Sequence, residues 1–247
     1  MGADSVIICG LEDALRNLPE LVSKAGFKLE KSRLALVKPN ICGIYHPSLN
    51  LLSSVIEFLL SKVESVVIGE TRSMIHNPRE QFRRLGVNEV LKRFGGRVKA
   101  VDLSADEWVK VKVPKPHVLR ELELSRMVLN SDVLVNLPKV GTHSTTRLTC
   151  ALKNLFGLLP QGRKYSLYHP LGMDRVIADV AQVVKPDLNV VDAGRKVIIG
   201  VDPLTVDIVA CRFVNLDPSR VGHIRLISED LGWNLETLLK TIRIVKV

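Results

Sequence analysis

Residues 134–157, "LVNLPKVGTHSTTRLTCALKNLFG", combine a short apolar run, a polar turn and an amphipathic segment. The apolar run predicts a buried strand, and Gly141 and Thr142 predict the turn that follows it. From Thr145 onwards the apolar residues recur at helical spacing, which predicts a helix with one face in the core. The opposite face carries small hydroxyls and one ammonium instead of the usual exposed charges; its members are Thr146, Thr149, Cys150, Lys153 and Gly157. This strand, turn and helix predict an α/β fold with a polar site at the helix start.

The rest of the chain repeats the alternation of strand and helix. Most strand candidates are fully apolar, as strands are when both faces of a parallel sheet are covered. Predicted strands cover residues 5–9, 34–37, 65–68, 97–101, 108–113, 133–137, 188–191, 196–199 and 242–245. Predicted helices cover residues 11–24, 49–60, 78–93, 118–129, 145–158, 173–183, 203–214 and 234–239. We predict a single α/β domain over residues 1–247, a three-layer sandwich whose mostly parallel or mixed sheet is covered by helices on both faces, with an excursion from the sheet around 108–117.

Composition narrows the class of partner. The 35 basic and 26 acidic residues give a net charge of +9, which favours anionic partners. The basic residues are dispersed and aromatic residues make up only 4%, so nucleic-acid binding is disfavoured. Neither a signal-peptide pattern nor a membrane-length apolar run is present, and the four cysteines are isolated. We therefore expect a cytoplasmic protein with no membrane span, no zinc ribbon and no iron–sulfur cluster on this chain. The scarcity of glutamine favours a heat-adapted source.

Polar residues follow the ends of several predicted strands. Lys38 and Asn40 follow one strand, Glu70 a second, and Lys139 and Asp192 two more. In open α/β sheets the ligand crevice lies beyond the carboxyl ends of the strands, so these side chains are expected to share one cleft. The alternative is that each residue only marks where a buried strand reaches water, or caps the next helix.

The charges of this cleft predict a small anionic ligand. Lys38, Lys139 and Lys153 would neutralise a phosphate or carboxylate, and the helix start at Thr145 would add backbone N–H donors. A side-chain cap at Ser144 or Thr145 is the structural alternative. The predicted ligand-binding set is Lys38, Asn40, Lys139, Thr145, Thr146, Thr149, Lys153, Asn154, Asp192 and Asp207.

Three residues are candidates for catalysis. His143 lies in the turn, and His169 lies in a segment expected to fold back over the helix, so the two imidazoles would face each other. A neutral imidazole near lysines suits proton transfer, and Glu70 is the carboxylate candidate. Loop histidines are also common on plain surfaces, so that alternative stays open.

Two aspartates belong to one later helix. Asp202 is expected to cap it, with Pro203 as its first residue. Asp207 lies among apolar neighbours on the helical wheel, and an unpaired buried carboxylate is costly. A cationic partner is therefore expected, and a lysine of the site is the candidate.

Six motifs together resemble the family called domain of unknown function 362. They are "LVKPNIC", "VVIGETRS", "VLVNLPKVGTHSTTRLTCALKNLFGLLP", "YHP", "VVDAG" and "GVDPLTVDIVA". The resemblance implies an α/β fold but no reaction. The family's motif positions fall on Lys38, Asn40, Glu70, Lys139, His143, Thr149, Lys153, Asn154, His169, Asp192, Asp202 and Asp207.

The sequence departs from the family pattern in two places. Many members carry a ferredoxin-like segment with two iron–sulfur clusters, which this sequence lacks, so a separate ferredoxin-like partner is one implication. A Gly-Pro loop usually follows the "VVDA" strand, whereas Gly194 here runs directly into "RKVIIG", which puts any ligand contact from that loop in doubt. A remote similarity of fold to the N-terminal domain of nickel-dependent lactate racemase is also expected, although no residue carries over from it.

Three function classes remain open at this level. The first is an enzyme acting on a small anionic substrate or cofactor. The second is a metal- or redox-linked accessory protein, in which Glu70, His143, His169 and Asp192 would hold a divalent ion. The third is an RNA- or partner-binding module that uses the basic surface.

Overall fold

The computed structural model describes residues 5–247 and builds them around an eight-stranded sheet. The strands of the described residues are β1 (Ser5–Gly10), β2 (Ser32–Pro39), β3 (Val63–Glu70), β4 (Val98–Asp102), β5 (Trp108–Lys112), β6 (Glu121–Ser125), β7 (Val133–Leu137), β8 (Gly141–His143), β9 (Arg147–Thr149), β10 (Leu188–Ala193), β11 (Lys196–Gly200) and β12 (Arg243–Lys246). The helices are α1 (Leu11–Lys24), α2 (Leu49–Leu60), α3 (Pro78–Arg84), α4 (Val87–Lys92), α5 (Arg126–Asn130), α6 (Ala151–Phe156), α7 (Lys164–Tyr168), α8 (Met173–Val183), α9 (Pro203–Ala210), α10 (Gly222–Asp230) and α11 (Leu235–Thr241).

The main sheet has the order β12-β1-β11-β10-β7-β2-β3-β4. Neighbouring strands are parallel except at β11, which runs antiparallel to both β1 and β10. Only Gly194 and Arg195 connect β10 to β11, and a two-residue connection permits a hairpin but not a crossover. Gly194 takes a φ of 79°, a conformation that glycine adopts without strain. The prediction of a mostly parallel or mixed sheet is confirmed.

Helices cover both faces of this sheet. Alternate strand residues such as Ile7 and Val37 pack with α1 to α4 in one core, whereas Val6 and Leu36 pack with α6 and α8 to α10 in the other. Each such buried aliphatic side chain stabilises the fold by roughly 1.5–3 kcal/mol. The three-layer sandwich is confirmed, and its parallel strands bring the carboxyl ends of β2, β3 and β7 to one edge.

The helix predicted over residues 118–129 is wrong. Residues of β6 pair antiparallel with β5 in a separate two-stranded sheet, and only the short α5 follows. The sequence "ELELS" alternates, so Leu122 and Leu124 are buried while Glu121 is exposed. This period of two is typical of a strand and explains why the predicted helix does not form.

The predicted helix over residues 145–158 starts too early. Strands β8 and β9 form a hairpin in which Gly141 pairs with Thr149, and Arg147 takes a left-handed φ of 61° after the turn. The helix α6 begins only at Ala151. The apolar positions from residue 148 onwards fit a helical stripe, but Leu148 belongs to a strand.

The helix predicted over residues 78–93 is two helices in the structure. The chain divides at Gly86, whose φ is 77°, into α3 and α4.

In residues 5–247, no helix combines the length and the apolar composition needed to cross a membrane.

Candidate functional site

A cleft of about 450 Å³ opens where β2 and β3 end, between the hairpin β8–β9 and the helix α6. The loops that follow β2 and β3 form one wall, because these parallel strands end side by side. Seven of the predicted site residues line it: Lys38, Asn40, Glu70, His143, Thr149, Lys153 and Asn154.

Lys38 and Glu70 form a buried ion pair at the floor of the cleft. The Lys38 Nζ lies 2.8 Å from Glu70 Oε1, and the two side chains are 1% and 3% exposed. The ammonium also donates to the Pro39 carbonyl at 2.7 Å and to Asn154 Oδ1 at 3.2 Å. The Glu70 carboxylate accepts from the backbone N–H groups of Ile41 and Thr71. All three Lys38 donors are therefore used within the fold, and the pair ties the ends of β2 and β3 together.

Three buried asparagines connect this floor to the centre of the sheet. Asn154 Nδ2 donates to Asn136 Oδ1 at 2.8 Å, and Asn136 Nδ2 donates to Asn189 Oδ1 at 2.8 Å. Asn136 Nδ2 also donates to the Ala151 carbonyl of α6 at 3.0 Å. Because every link in this chain is satisfied, it orients α6 over the ends of β2 and β7 and the start of β10.

Lys164 is a cleft residue that sequence reasoning missed. It is 8% exposed, and its ammonium donates to the Thr71 hydroxyl and to the Gly157 carbonyl. Burial lowers the pKa of Lys164 to about 7, while the Glu70 carboxylate opposes this shift. Its neighbour Tyr165 is exposed, so nothing in the local sequence marks Lys164 as buried. Lys164 is buried because α7 returns over the cleft.

Lys153 projects from α6 and lines the cleft. Burial lowers the pKa of its ammonium to about 7, and the Asp174 carboxylate acts in the opposite direction. Within residues 5–247, no carboxylate lies within ion-pair distance of Lys153. Lys153 is thus the cleft cation whose charge the fold leaves most poorly compensated.

His143 presents a neutral imidazole to the cleft. Its Nδ1 accepts from the backbone N–H of Thr145 at 3.2 Å and of Thr146 at 3.4 Å, which leaves the ring proton on Nε2. Burial, with the positive charges of Lys153 and His169, lowers the pKa of His143 to about 4. His143 lines the cleft, whereas the predicted catalytic residue His169 lies outside the lining. His169 itself stacks on Tyr165, with ring centroids 4.0 Å apart.

The anion predicted at the helix start is wrong in its position, because a carboxylate of the protein occupies the N-terminus of α6. Asp207 Oδ1 accepts from the Ala151 N–H at 2.7 Å, and Oδ2 accepts from the Leu152 N–H at 3.1 Å. Asp207 is fully buried, and burial raises its pKa to about 6. The basic side chain beside it is not a site lysine but His223, whose Nε2 lies 3.9 Å from Oδ2. The related prediction that Asp202 caps α9 is confirmed by its bond to the Thr205 N–H.

Besides Asp207, four predicted ligand residues lie outside the cleft lining. Thr145 is exposed in the turn of the hairpin, and Thr146 is buried with its hydroxyl bonded to the Leu148 carbonyl. Asp192 accepts from the N–H groups of Ser48 and Gly194, at 2.8 Å each, and so organises the loops around β10. Lys139 forms a backbone bridge with Asp192. The strand-end pattern therefore predicted a shared edge of the sheet correctly. It assigned to one cleft two separate groups of side chains, those that line the cleft and those around Asp192.

The side chains proposed as ligands of a divalent metal do not form a metal-binding group in the described residues. Among the described residues, no group of three or more His, Cys, Asp and Glu side chains could hold a metal ion. The carboxylate oxygens of Glu70 and Asp192 already accept hydrogen bonds within the fold.

Gly157 permits the close packing of α6 on Lys38, and we expect Gly157→Ala to destabilise the protein. A Cβ at this position would lie 2.8 Å from the Asn154 carbonyl oxygen and 3.0 Å from Lys38 Nζ. Overpacking of this kind costs about 1–3 kcal/mol, which urea unfolding measures. Gly96→Ala is the matched control, because a Cβ there meets nothing within 4 Å. Equal effects of the two substitutions would contradict the packing argument.

Comparison with known proteins gives a family match and two similar folds. The profile of the domain of unknown function DUF362 matches residues 35–197. Thylakoid-associated protein sll1697 of Synechocystis sp. is 33% identical over 76 residues, which cover 29% of this chain and 24% of that protein. Lactate racemase apoprotein from Thermoanaerobacterium thermosaccharolyticum superposes with a TM-score of 0.52 at 15% identity, over 84% of this chain and 56% of that one. A structural-genomics protein from Thermotoga maritima gives 0.53 at 13% identity, over 88% and 59%.

These matches differ in what they establish. The chain spans about a quarter of the curated relative and less than two thirds of either solved structure. At 15% identity or less, the two structures show a shared fold alone, which supports the expected similarity of fold to lactate racemase.

Proposed function

This chain belongs to the DUF362 family, and we propose that it is an enzyme whose cleft binds a small anionic substrate bearing a carboxylate or phosphate. The observation that carries the proposal is Lys153, a cleft ammonium with no carboxylate partner in the described residues. A bound anion would supply the missing opposite charge.

The balance of charge in the cleft supports this choice of ligand. Of the side chains that the structure describes in the lining, three are lysines and one, Glu70, is a carboxylate. Glu70 is already paired with Lys38. Lys153 and Lys164 thus share a partly desolvated space with no counter-charge of their own, where an anion is bound more strongly than in water.

In the proposed function the cleft residues have different roles. Lys38 and Glu70 position the loops, because their hydrogen-bonding capacity is used within the fold. Lys153 binds the anion. Lys164, with a pKa of about 7, can both give and accept a proton near neutral pH. His143 offers its Nε2–H as a neutral donor, because its Nδ1 is already an acceptor.

We expect Lys153→Gln to weaken anion binding by about 10- to 100-fold, the usual loss when a hydrogen bond to a charged group is removed. Isothermal titration calorimetry with inorganic phosphate and with short carboxylates measures the effect. Lys240→Gln is the matched control, because Lys240 is exposed on α11, outside the cleft lining. Binding that is the same in both variants and in the wild type would reject the proposal.

The pH dependence of the same titration is a second readout. The Lys153 ammonium is charged below its pKa of about 7 and neutral above it, so anion affinity should fall as pH rises through this value. In Lys153→Gln this part of the pH dependence should disappear.

We also propose that the protein is cytoplasmic, because its free cysteines suit a reducing environment; they are Cys9, Cys42, Cys150 and Cys211.

A further inference from the structure

We propose that the substrate is amphipathic and that, beside its carboxylate or phosphate, it carries an apolar or aromatic group that lies against Ile44, Tyr45 and Phe156. This inference rests on the proposed function, because it describes the other end of the molecule whose anion Lys153 binds. Its support comes from the apolar side chains that share the lining with the lysines.

Ile44 is the most exposed of these apolar side chains. It lies in the loop after β2, lines the cleft and is 88% exposed. An apolar group placed against it would be removed from water together with the isoleucine, which is favourable in proportion to the area buried. The lysine charges alone give no reason for such a residue at the mouth of the cleft.

Tyr45 is held against the cleft by a neighbouring glycine. A Cβ at Gly141 would lie 2.5 Å from atoms of the Tyr45 ring, so the ring packs directly on the backbone at the start of β8. This close packing places a large flat side chain beside Ile44 in the lining. Ile44 and Tyr45 therefore both contribute apolar surface to the cleft lining, and this surface is called the apolar wall below.

Phe156 brings an apolar ring next to a lysine of the cleft. Its ring makes an edge contact with Tyr168, with centroids 5.6 Å apart, and the Lys164 Nζ lies 5.9 Å from its centroid. Apolar and cationic surfaces therefore meet within the same cleft. A ligand with adjoining anionic and apolar parts satisfies both, whereas a bare anion leaves the apolar part in contact with water.

The volume of the cleft agrees with a ligand larger than a simple anion. Its 450 Å³ falls within the roughly 300–1,000 Å³ typical of small-molecule sites. Inorganic phosphate or acetate would fill only a small part of this space.

A homologous series of carboxylates tests the inference. Calorimetric titration with straight-chain acids from acetate to octanoate should show affinity rising about fourfold per added methylene until the wall is covered. Phenyl phosphate should likewise bind more tightly than inorganic phosphate. Ile44→Ser should flatten the series, whereas Ile75→Ser should not, because Ile75 is 76% exposed but outside the cleft lining.

The outcomes separate this inference from the proposed function. If acetate and octanoate bind equally well, and Lys153→Gln weakens both, the anion site stands and the amphipathic substrate is rejected. A steep series that persists unchanged in Ile44→Ser would also reject it, since the methylenes would then be binding elsewhere. If no acid and no phosphate binds the wild type, both proposals fail.

Discussion

Replacing Glu70 with Ala is expected to lower the free energy of unfolding by about 3–5 kcal/mol, the cost of leaving a buried charge without its partner. Lys38 is 1% exposed, so its ammonium cannot turn to water when Glu70 is removed. The backbone N–H groups of Ile41 and Thr71 lose their acceptors at the same time. Urea unfolding at pH 7 measures the loss.

An exposed ion pair provides the matched control. Glu89 and Lys92 on α4 lie 2.8 Å apart, as Glu70 and Lys38 do, but both side chains are about 70% exposed. Glu89→Ala should change stability by less than about 1 kcal/mol, because water compensates both charges. Similar losses in Glu70→Ala and Glu89→Ala would contradict the claim that burial decides the effect.

A double substitution separates the buried charge from the lost hydrogen bonds. Combining Lys38→Met with Glu70→Leu removes both charges, and apolar replacements of a buried pair are often close to neutral. The double variant should therefore be more stable than Glu70→Ala. Recovery should be incomplete, because the N–H groups of Ile41 and Thr71 still lack the carboxylate.

The substitution Asp207→Asn is expected to change how stability depends on pH. Burial raises the pKa of Asp207 from 3.8 to about 6, so the folded state binds this proton more tightly than the unfolded chain does. The resulting stabilisation is fully present below pH 3.8 and is lost as pH rises through about 6. Between pH 4 and pH 7 the wild type should lose roughly 2 kcal/mol relative to the Asn variant.

The surroundings of Asp207 shape this expectation. The groups that face it are the imidazole of His223, the thiols of Cys150 and Cys211 and the N–H groups at the start of α6. The positive charge of His223 lowers the pKa of Asp207 but does not offset its burial. Unfolding curves of both proteins at several pH values measure the difference, and a constant difference across this range would reject it.

An exposed aspartate gives a control with the opposite sign. Asp132 accepts from the N–H groups of Arg33 and Leu34, which lowers its pKa. Its stabilisation is present at neutral pH and is lost as pH falls. The wild type should therefore gain stability relative to Asp132→Asn as pH rises, the reverse of the trend for Asp207.

The apolar patterns of the sequence predicted the sandwich, because a strand covered on both faces must be apolar throughout. The strand-end rule also brought Lys38 and Glu70 together correctly, since parallel strands end at one edge. The same patterns failed for residues 145–149, where the apolar positions fit a helical stripe but the chain forms a hairpin with Arg147 in a left-handed conformation.

The sequence by itself determined the buried strands of the main sheet and the edge at which β2 and β3 end beside the cleft, because both follow from local side-chain periods and chain direction. Only the tertiary structure decided which side chains form hydrogen bonds and ion pairs with each other. Asp207 accepts from the backbone N–H of Ala151, 56 residues away, and α7 returns to bury Lys164 beside Glu70. Ion pairing and pKa depend on water excluded by residues distant along the chain, and no local pattern records that exclusion.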